Sequence, residues 1–475
     1  MPCSTKNEPP ARLKLLDRFA DSPDFETVLD VAREVREAGG STLLVGGCVR
    51  DVLLGVVPKD LDLEVRGLDP DELLALLARK RKVDEYGKSF GILKIRHTQV
   101  EVSLPRTERK TGSGHRGFTV EVDPHLPFPQ ASARRDFTMN AMALDPLTGV
   151  LPDPHGGQAD LDARILRHVG HAFSEDPLRV LRGMQFAARF HLSPAEETLA
   201  LCQTIEPQGL PAERLFEEWK KLLLLGETPS VGMRFLKEAG WLKHYPELHA
   251  LVGCEQDREW HPEGDVWVHT LHCLDAFAKD RIGDDWEDLV VGFAVLCHDL
   301  GKPATSFCDE NGRIRSPRHE TEGEAPSRAF LARLTKQKDL VEQVVPLVRR
   351  HLAPRVFYED RVGDAAIRRL ARQVVRLDRL VRVAAADVAG RPPKPLDFPE
   401  GPWLLERAEA LHVKDAAPVP LVLGRHLVER GLRPGPTFKP LLDACFESQL
   451  DGTFTDLQGG LRHLDALLAA PPNAE

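Results

Sequence analysis

The stretch VGGCVRDVLLGVVPKDLDLEV, residues 45–65, brings two kinds of chemistry into one short segment. Gly46 and Gly47 close an apolar run, and glycines there let backbone amides come close to a phosphate chain. Arg50 follows near a helix start and adds a charge-assisted clamp. KDLDLEV alternates strictly and predicts a half-buried strand. On such a strand Asp60 and Asp62 project from one face. That arrangement holds two divalent ions for in-line phosphoryl transfer. Mg²⁺ suits it, because that ion is bound through one or two carboxylates together with substrate phosphates. Glu101, in VEVSLPR, is the best placed third carboxylate. The bland alternative is an amphipathic strand whose solvent face reads Asp60, Asp62, Glu64. The glycines and arginine upstream tell against it.

Two further blocks add to this segment. In ARRDFTMNAMALDP, residues 133–146, arginines beside a strand-like FTMNAMAL can bind phosphate, and Asp136 and Asn140 can read ribose hydroxyls. In SEDPLRVLRGMQFAARF, residues 174–190, Ser174 is placed to cap a helix, with Glu175 and Asp176 on its positive end and Pro177 in its first turn. Asp176, Arg179 and Arg182 recur every three residues and line one edge of it. An Asp–Arg pair can read a base edge, the carboxylate accepting from an exocyclic amine and the guanidinium donating to a ring nitrogen or carbonyl. Cytosine and adenine offer that amine; uracil and guanine offer a carbonyl and leave polar groups unmatched.

GGCVRD, KDLDL, RRDFTMNA, EDPLRVLR and ERLFEEWKKLL (213–223) occur in this order, and together they closely resemble the class II tRNA nucleotidyltransferases, the CCA-adding enzymes and their bacterial poly(A) polymerase relatives. The resemblance implies that Asp60 and Asp62 bind Mg²⁺. It implies that Gly47, Arg50, Arg135, Arg179 and Arg182 contact the incoming ATP or CTP, and that Asp176 and Arg179 form the protein template for base selection. RTERKTGSGHRGF, residues 106–118, matches the family's flexible loop, associated with the switch from C to A addition. Where the family usually has another arginine one turn after Arg182, this chain has Gln185, which implies a weaker triphosphate or RNA contact.

A second constellation lies in HPEGDVWVHTLHCLDAF (261–277) and AVLCHDLGKPAT (294–305). His298 and Asp299 are adjacent at a helix end, with Gly301 and Pro303 closing the turn. A His–Asp pair plus a distant His and Asp can hold a divalent ion that activates water against a phosphoester. His269 and Asp387, the latter in AADVAGR, are the partners, and His319 and His351 can finish a second metal position. This part resembles an HD-domain phosphohydrolase over about residues 255–395. The combined layout resembles the bacterial multifunctional CCA proteins, in which the HD part is associated with phosphatase, 2′-nucleotidase and 2′,3′-cyclic phosphodiesterase activity. The resemblance implies metal binding there, by a divalent transition metal such as Ni²⁺, Mn²⁺ or Co²⁺.

At 475 residues the chain exceeds a single core. The expected fold class is α+β: a nucleotidyltransferase head of mixed or antiparallel sheet with helices, then an all-α neck, an HD-domain body and a helical tail. Expected boundaries are a weakly ordered 1–25, a head at 26–150, a nucleotide-selecting and RNA-binding neck at 151–250, the HD domain at 251–395 and the tail at 396–475. The formal charge of −10 gives no global nucleic-acid signature, so any polyanion must find a local basic surface such as RKRK at 79–82, 106–116, Arg134–Arg135 or the arginines around His351. The eight cysteines are scattered singly, with no CxxC. With no long apolar stretch and no apolar N-terminal segment, this predicts a cytoplasmic protein without membrane contact.

The expected activity is addition of C and A to the tRNA 3′ end from CTP and ATP, with HD phosphohydrolase activity as a second capacity. Narrower relatives remain open: a CC-adding or A-adding enzyme, or a poly(A) polymerase. So do an HD phosphohydrolase with an RNA-recruiting N-terminal domain and a nucleotide-sensing regulator. Monomer and dimer are equally compatible with the sequence.

Overall fold

The computed structural model describes residues 15–86, 92–110, 118–207 and 209–469. Its contacts divide the chain into two units, one running to Leu222 and including Val231–His244, the other comprising Leu223–Ser230 and Tyr245 onward. The first carries a mixed sheet with helices and the second is mainly helical, so the α+β expectation holds.

In the first unit the strands are β1 (Ser41–Val45), β2 (Leu61–Arg66), β3 (Val83–Tyr86), β4 (Ile92–Ile95), β5 (Val100–Ser103), β6 (Arg106–Lys110), β7 (Phe118–Val122) and β8 (Ala143–Leu144). Six of them form one sheet in the order β3-β4-β5-β2-β1-β8, and β6 pairs with β7 in a separate ribbon. Within the larger sheet β2 and β5 are parallel, whereas β1 pairs antiparallel with both β2 and β8. The hairpin expected over 91–104 is present as β4 and β5. Residues 111–117 of the expected flexible loop lie outside the described residues.

The period-2 reading of β2 explains its packing. Leu61, Leu63 and Val65 are fully buried, each worth about 1.5–3 kcal/mol relative to exposure, while Asp62 stays half-buried on the other face. Helix α1 (Phe25–Glu37) buries Phe25, Val28, Val31, Ala32 and Val35, a spacing of three and four that keeps one apolar face. Within the first 25 residues, Phe19 is fully buried and stacks on Phe25 with centroids 5.2 Å apart. Helix α2 (Gly47–Leu53) follows β1 directly, through Gly46 at φ +78°. Helices α3 (Leu178–Phe190) and α4 (Ala212–Leu225) come later in the chain.

Two local expectations need correction. FTMNAMAL is not a continuous strand: Thr138–Asn140 is a 3₁₀ turn, and only Ala143–Leu144 joins the sheet. The cause is local, since Asp136 Oδ1 accepts from the Phe137 amide at 2.7 Å and from Asn140 Nδ2 at 3.0 Å, bonds that compete with a ladder. Ser174 does not cap α3; it sits in a 3₁₀ turn at His171–Glu175 and donates to the His171 carbonyl. The Leu178 amide instead donates to Asp176 Oδ1 at 3.1 Å.

The second unit centres on α5 (Val266–Lys279), α6 (Asp285–Cys297), α7 (Lys338–Arg350) and α8 (Leu377–Ala389). Asp265 caps α5 by accepting from the Val268 amide, and Asp284 caps α6 by accepting from the Trp286 and Glu287 amides. Gly292 lets α5 and α6 approach closely, because a Cβ there would stand 2.9 Å from the Phe277 ring. Buried Arg379 on α8 clamps Glu287 on α6 through two nitrogens at 2.6 Å each. After the proline-rich joint, a smaller core of Val422, Leu427, Cys445, Phe454 and Leu464 organises the tail. No described helix is long and apolar enough to cross a membrane.

Candidate active sites

The first unit contains a cleft of about 370 Å³ lined by Gly46, Gly47, Arg50, Asp62, Arg135, Asp136, Asn140, Asp176, Leu178, Arg179, Arg182 and Arg214. Asp60 is exposed just before β2, and Glu101 lies directly opposite Asp62 in the β2–β5 register. The three carboxylates named from the sequence therefore come together at the N-terminal ends of the adjacent inner strands β2 and β5. Lys94, one strand further, stands 3.6 Å from Glu101 and is the only cation paired with it among the described residues. Burial pushes the Asp62 carboxyl up to about 6; Arg135 opposes the shift, while Glu101 and Asp60 add to it. A carboxylate so crowded by others is relieved by a bound cation, and this donor set of oxygens fits a hard ion such as Mg²⁺. Gly46 is obligatory here: a Cβ would lie 2.8 Å from Arg135 Nη1, and its φ is positive.

Glu64, on the face read as solvent-exposed in the bland alternative, is buried and paired with Arg66 at 2.7 Å. Asp136 and Asn140 also differ from expectation, because their polar atoms are engaged inside the protein. Asp136 Oδ2 accepts from Arg182 Nε at 2.6 Å, and Asn140 Oδ1 accepts from Arg50 Nη1 at 2.6 Å. Burial would raise the Asp136 carboxyl, but the Arg182 charge and the hydrogen bonds from Asn140, Arg182 and the Phe137 amide hold it below the usual range. Arg50 also donates to Asp51 through Nε and Nη2, and its guanidinium lies over the Phe186 and Phe190 rings at 5.2 and 4.6 Å.

Asp176 and Arg179 both face the cleft, but they are not paired with each other. Asp176 Oδ2 accepts from Arg214 Nη2 at 2.8 Å, whereas Arg179 donates to the Ala172 and Arg134 carbonyls at 2.6 Å each. Arg214 is a cleft residue that sequence reasoning passed over, although it lies inside the quoted ERLFEEWKKLL. Gln185 is buried and accepts from Arg189 Nη1 at 3.1 Å. Arg189 in turn lies over Phe190 at 4.9 Å. Burial and the neighbouring Arg50 charge hold the Arg189 guanidinium below its ordinary value. The missing arginine is thus replaced by an amide that tethers a cation one turn further along α3.

The second unit assembles all six residues named for a metal centre. His269 Nε2 is 3.1 Å from Asp387 Oδ1, 3.3 Å from His298 Nε2 and 3.7 Å from Asp299 Oδ2. His319 Nε2 is 3.3 Å from both His351 Nε2 and Asp299 Oδ1. Such separations are edges of a polyhedron with metal–ligand bonds of about 2.1 Å. The tautomers agree. His298, His319 and His351 each place Nδ1 against a backbone carbonyl, of Val295, Ser316 and Val348, and His269 places Nδ1 3.1 Å from the Gly390 carbonyl and 2.8 Å from Glu263. A carbonyl only accepts, so Nδ1 carries the proton and the Nε2 lone pairs converge. Asp299 is 1 % exposed and neither of its oxygens accepts a hydrogen bond of normal geometry, although Lys302 Nζ stands 2.7 Å from Oδ2. Without an ion, burial would lower His298, yet Asp299 carries it up to about 10, so that an ion must displace the Nε2 proton to use that lone pair; burial and the His319 and His298 charges push His351 down to about 3. The residues therefore fit two adjacent divalent ions with Asp299 between them. A cleft of about 390 Å³ opens onto Asp299, His319, His351 and Asp387 and carries Lys302, Arg315, Arg355 and Arg391. Lys302 and Arg391, the latter 2.6 Å from Asp387 Oδ1, were not singled out from sequence.

A family profile described as the poly A polymerase head domain matches residues 42–167, and one described as a probable RNA and SrmB-binding site of polymerase A matches 192–252. The chain is 40% identical over 376 residues to the multifunctional CCA protein of Stenotrophomonas maltophilia strain K279a, covering 76% of this chain and 89% of that one. To the multifunctional CCA protein of Laribacter hongkongensis it is 39% identical over 364 residues, covering 74% and 85%. Among solved structures, the Bacillus stearothermophilus CCA-adding enzyme in complex with CTP aligns with a TM-score of 0.65 at 23% identity, over 94% of this chain and 98% of that one. The Thermotoga maritima CCA-adding enzyme complexed with tRNA aligns with a TM-score of 0.57 at 20% identity, over 96% and 98%. At those identities the structures share the fold.

Two outcomes follow from the first cleft. Asp62 holds its proton up to about pH 6 in the metal-free protein, against 3.8 for a solvated carboxyl. The stability that this proton confers is complete below pH 3.8 and is lost as pH rises through 6. Metal binding needs the carboxylate, so calorimetric Mg²⁺ affinity at this site is expected to be flat above pH 6 and to fall about tenfold per unit below it. Gln185→Arg is expected to lower the thermal midpoint, by the equivalent of at least about 1 kcal/mol, because it adds a buried cation beside Arg189.

Proposed function

We propose the function of this chain from the premise that it belongs to the multifunctional CCA protein family. It extends the 3′ end of tRNA with C and A, taken from CTP and ATP, in the cytoplasm. The observation that carries this reading is the juxtaposition of Asp62 with Glu101 in register beside Gly46 and a fan of arginines. The tRNA terminal hydroxyl attacks the α-phosphate in line; the new P–O bond forms as the α–β bond breaks, and pyrophosphate leaves with the hydroxyl proton lost to solvent. Asp60 and Asp62 would hold Mg²⁺, with Glu101 assisting; when bound, it supplies neutralisation of the developing charge and acidification of the attacking hydroxyl.

The protein's own groups position the nucleotide. Gly46 and Gly47 admit the triphosphate to the backbone, and Arg135 and Arg182 face it, Arg182 being aimed by Asp136. Asp176 is fixed by the Leu178 amide and Arg214, which aims its carboxylate at the exocyclic amine of C or A. Arg179 completes that reading by exchanging a backbone carbonyl for the base. Asn140 and Arg50 act as supports. The helical remainder grips the acceptor arm by shape and backbone, since every tRNA must be accepted. Transcripts ending before C74, C75 and A76, each offered labelled CTP or ATP, are expected to take up C, C and A in turn. Asp62→Ala is expected to lose at least about 10²–10³-fold in rate. Label accepted only by the transcript lacking A76 would sink the CCA reading in favour of an A-adding enzyme.

The second cleft supports a further activity of the same chain, metal-dependent hydrolysis of a phosphoester. Its support is the buried Asp299, ion-paired with Lys302 and 3.3 Å from both His298 and His319, facing a basic cleft. With Ni²⁺, Mn²⁺ or Co²⁺ supplied, the protein is expected to hydrolyse 2′,3′-cyclic nucleotides or 2′-nucleotides. His298→Ala and Asp387→Ala should abolish this while Asp62→Ala retains it. Equal hydrolysis by the His298→Ala protein would assign the activity elsewhere.

A further inference from the structure

Cys273 occupies a place in the second cluster that neither an HD dipeptide nor a basic cleft requires. It follows His269 by four residues on α5, so both side chains leave the same face of the helix. Cys273 is fully buried, and its Sγ is 3.3 Å from His269 Nε2, the atom whose lone pair turns into the cluster. The ligand atoms of His269, Cys273, His298 and Asp387 all lie within 4.8 Å of one another. Room for the sulfur is made by Gly390: a Cβ there would lie 2.3 Å from Sγ and 3.1 Å from the His269 ring. A second observation concerns the same cluster: Asp299, 1 % exposed, sets one oxygen 3.3 Å from His298 and the other 3.3 Å from His319, and its one cation partner at shorter range among the described residues is Lys302 at 2.7 Å.

We propose that Cys273 is a direct ligand of the ion held by His269, His298 and Asp387, and that this position selects a thiophilic divalent ion, zinc foremost, over Mg²⁺ and Mn²⁺. This rests on reading the cluster as a metal centre. Sulfur, two imidazole nitrogens and carboxylate oxygen form a donor set that a borderline-soft ion prefers, at a sulfur–zinc distance of about 2.3 Å and nitrogen–zinc distances of about 2.1 Å. The thiol proton leaves to solvent as the sulfur–metal bond forms. The neighbouring position, built from Asp299, His319 and His351, has only nitrogen and oxygen donors. The two positions thus differ in softness, and the centre is able to hold two different ions side by side.

Full-length protein stripped with chelator and reloaded with Co²⁺ tests this without reference to turnover. Wild-type protein is expected to show visible ligand-field absorption together with a near-ultraviolet sulfur-to-cobalt charge-transfer band at the first equivalent. Cys273→Ser and Cys273→Ala are expected to keep the visible absorption, which reports an intact folded site, and to lose the charge-transfer band. In competition with a chromophoric chelator, zinc affinity should fall at least about tenfold in both variants, with Mn²⁺ affinity unchanged. Cobalt bound by the wild type without the charge-transfer band, or a band that persists in both variants, overturns the ligation by Cys273 and leaves the metal centre standing. Failure to bind cobalt at all overturns both.

Discussion

The first cleft depends on one buried carboxylate. Asp136 accepts from the Phe137 amide, Asn140 and Arg182, and Asn140 in turn accepts from Arg50. These bonds tie the turn after Arg134–Arg135 to α3 and to α2, two of the helices that bring arginines to the cleft. Removing such a carboxylate would take the counter-ion from Arg182, which is partly exposed in the cleft, and leave the Phe137 amide and buried Asn140 without their acceptor, a loss on the order of 1–3 kcal/mol. The aromatic ring of the next residue continues the same joint apolarly, with Phe137 edge-on to Phe173 and Phe186. The polar and apolar halves of the joint are adjacent in sequence, and so the cleft geometry is set by five residues of chain.

Much of this was legible in the sequence wherever a short period carried the information. Alternation in KDLDLEV put Asp62 on the face opposite Leu61, Leu63 and Val65, because side-chain direction on a strand is fixed by position parity, whereas Asp60 lies just before the strand. The partnership of Asp62 with Glu101 needed the parallel register of β2 and β5, which spacing does not encode. Asp176 and Arg179 read as a pair because they are three apart, yet Asp176 belongs to the turn before α3 and meets Arg214 from another helix. A long-range ion pair outcompeted a local one, and no local pattern reports that. The continuous strand assumed for FTMNAMAL failed because two short polar side chains satisfied the backbone locally. Cys273 was legible in principle, four residues after His269 on a helical face. It was overlooked because cysteines were counted for pairs with one another instead of for company with histidine.

The two centres solve opposite electrostatic problems. At the head of β2 and β5, carboxylates crowd together beside an open cleft, and burial and mutual repulsion raise Asp62. In the second unit, four imidazoles and two carboxylates are buried among helices, and the backbone dictates their protonation by occupying every Nδ1. The first arrangement is open to exchange of ion and nucleotide together. The second is a buried set of donors aimed by the backbone, and it differs from the first in donor type as well as in burial.

Asp299 sends one oxygen towards His298 and His269 and the other towards His319 and His351. Genetic decay of the cage is therefore uneven. A change at His319 or His351 strips one donor group and leaves His269, Cys273, His298 and Asp387 whole. A change at Asp299 costs the group with His319 and His351 its only oxygen donor and takes a nearby oxygen from the other, which keeps His269, Cys273, His298 and Asp387. The carboxylate between them therefore couples two donor groups of which only one depends on it for its sole oxygen.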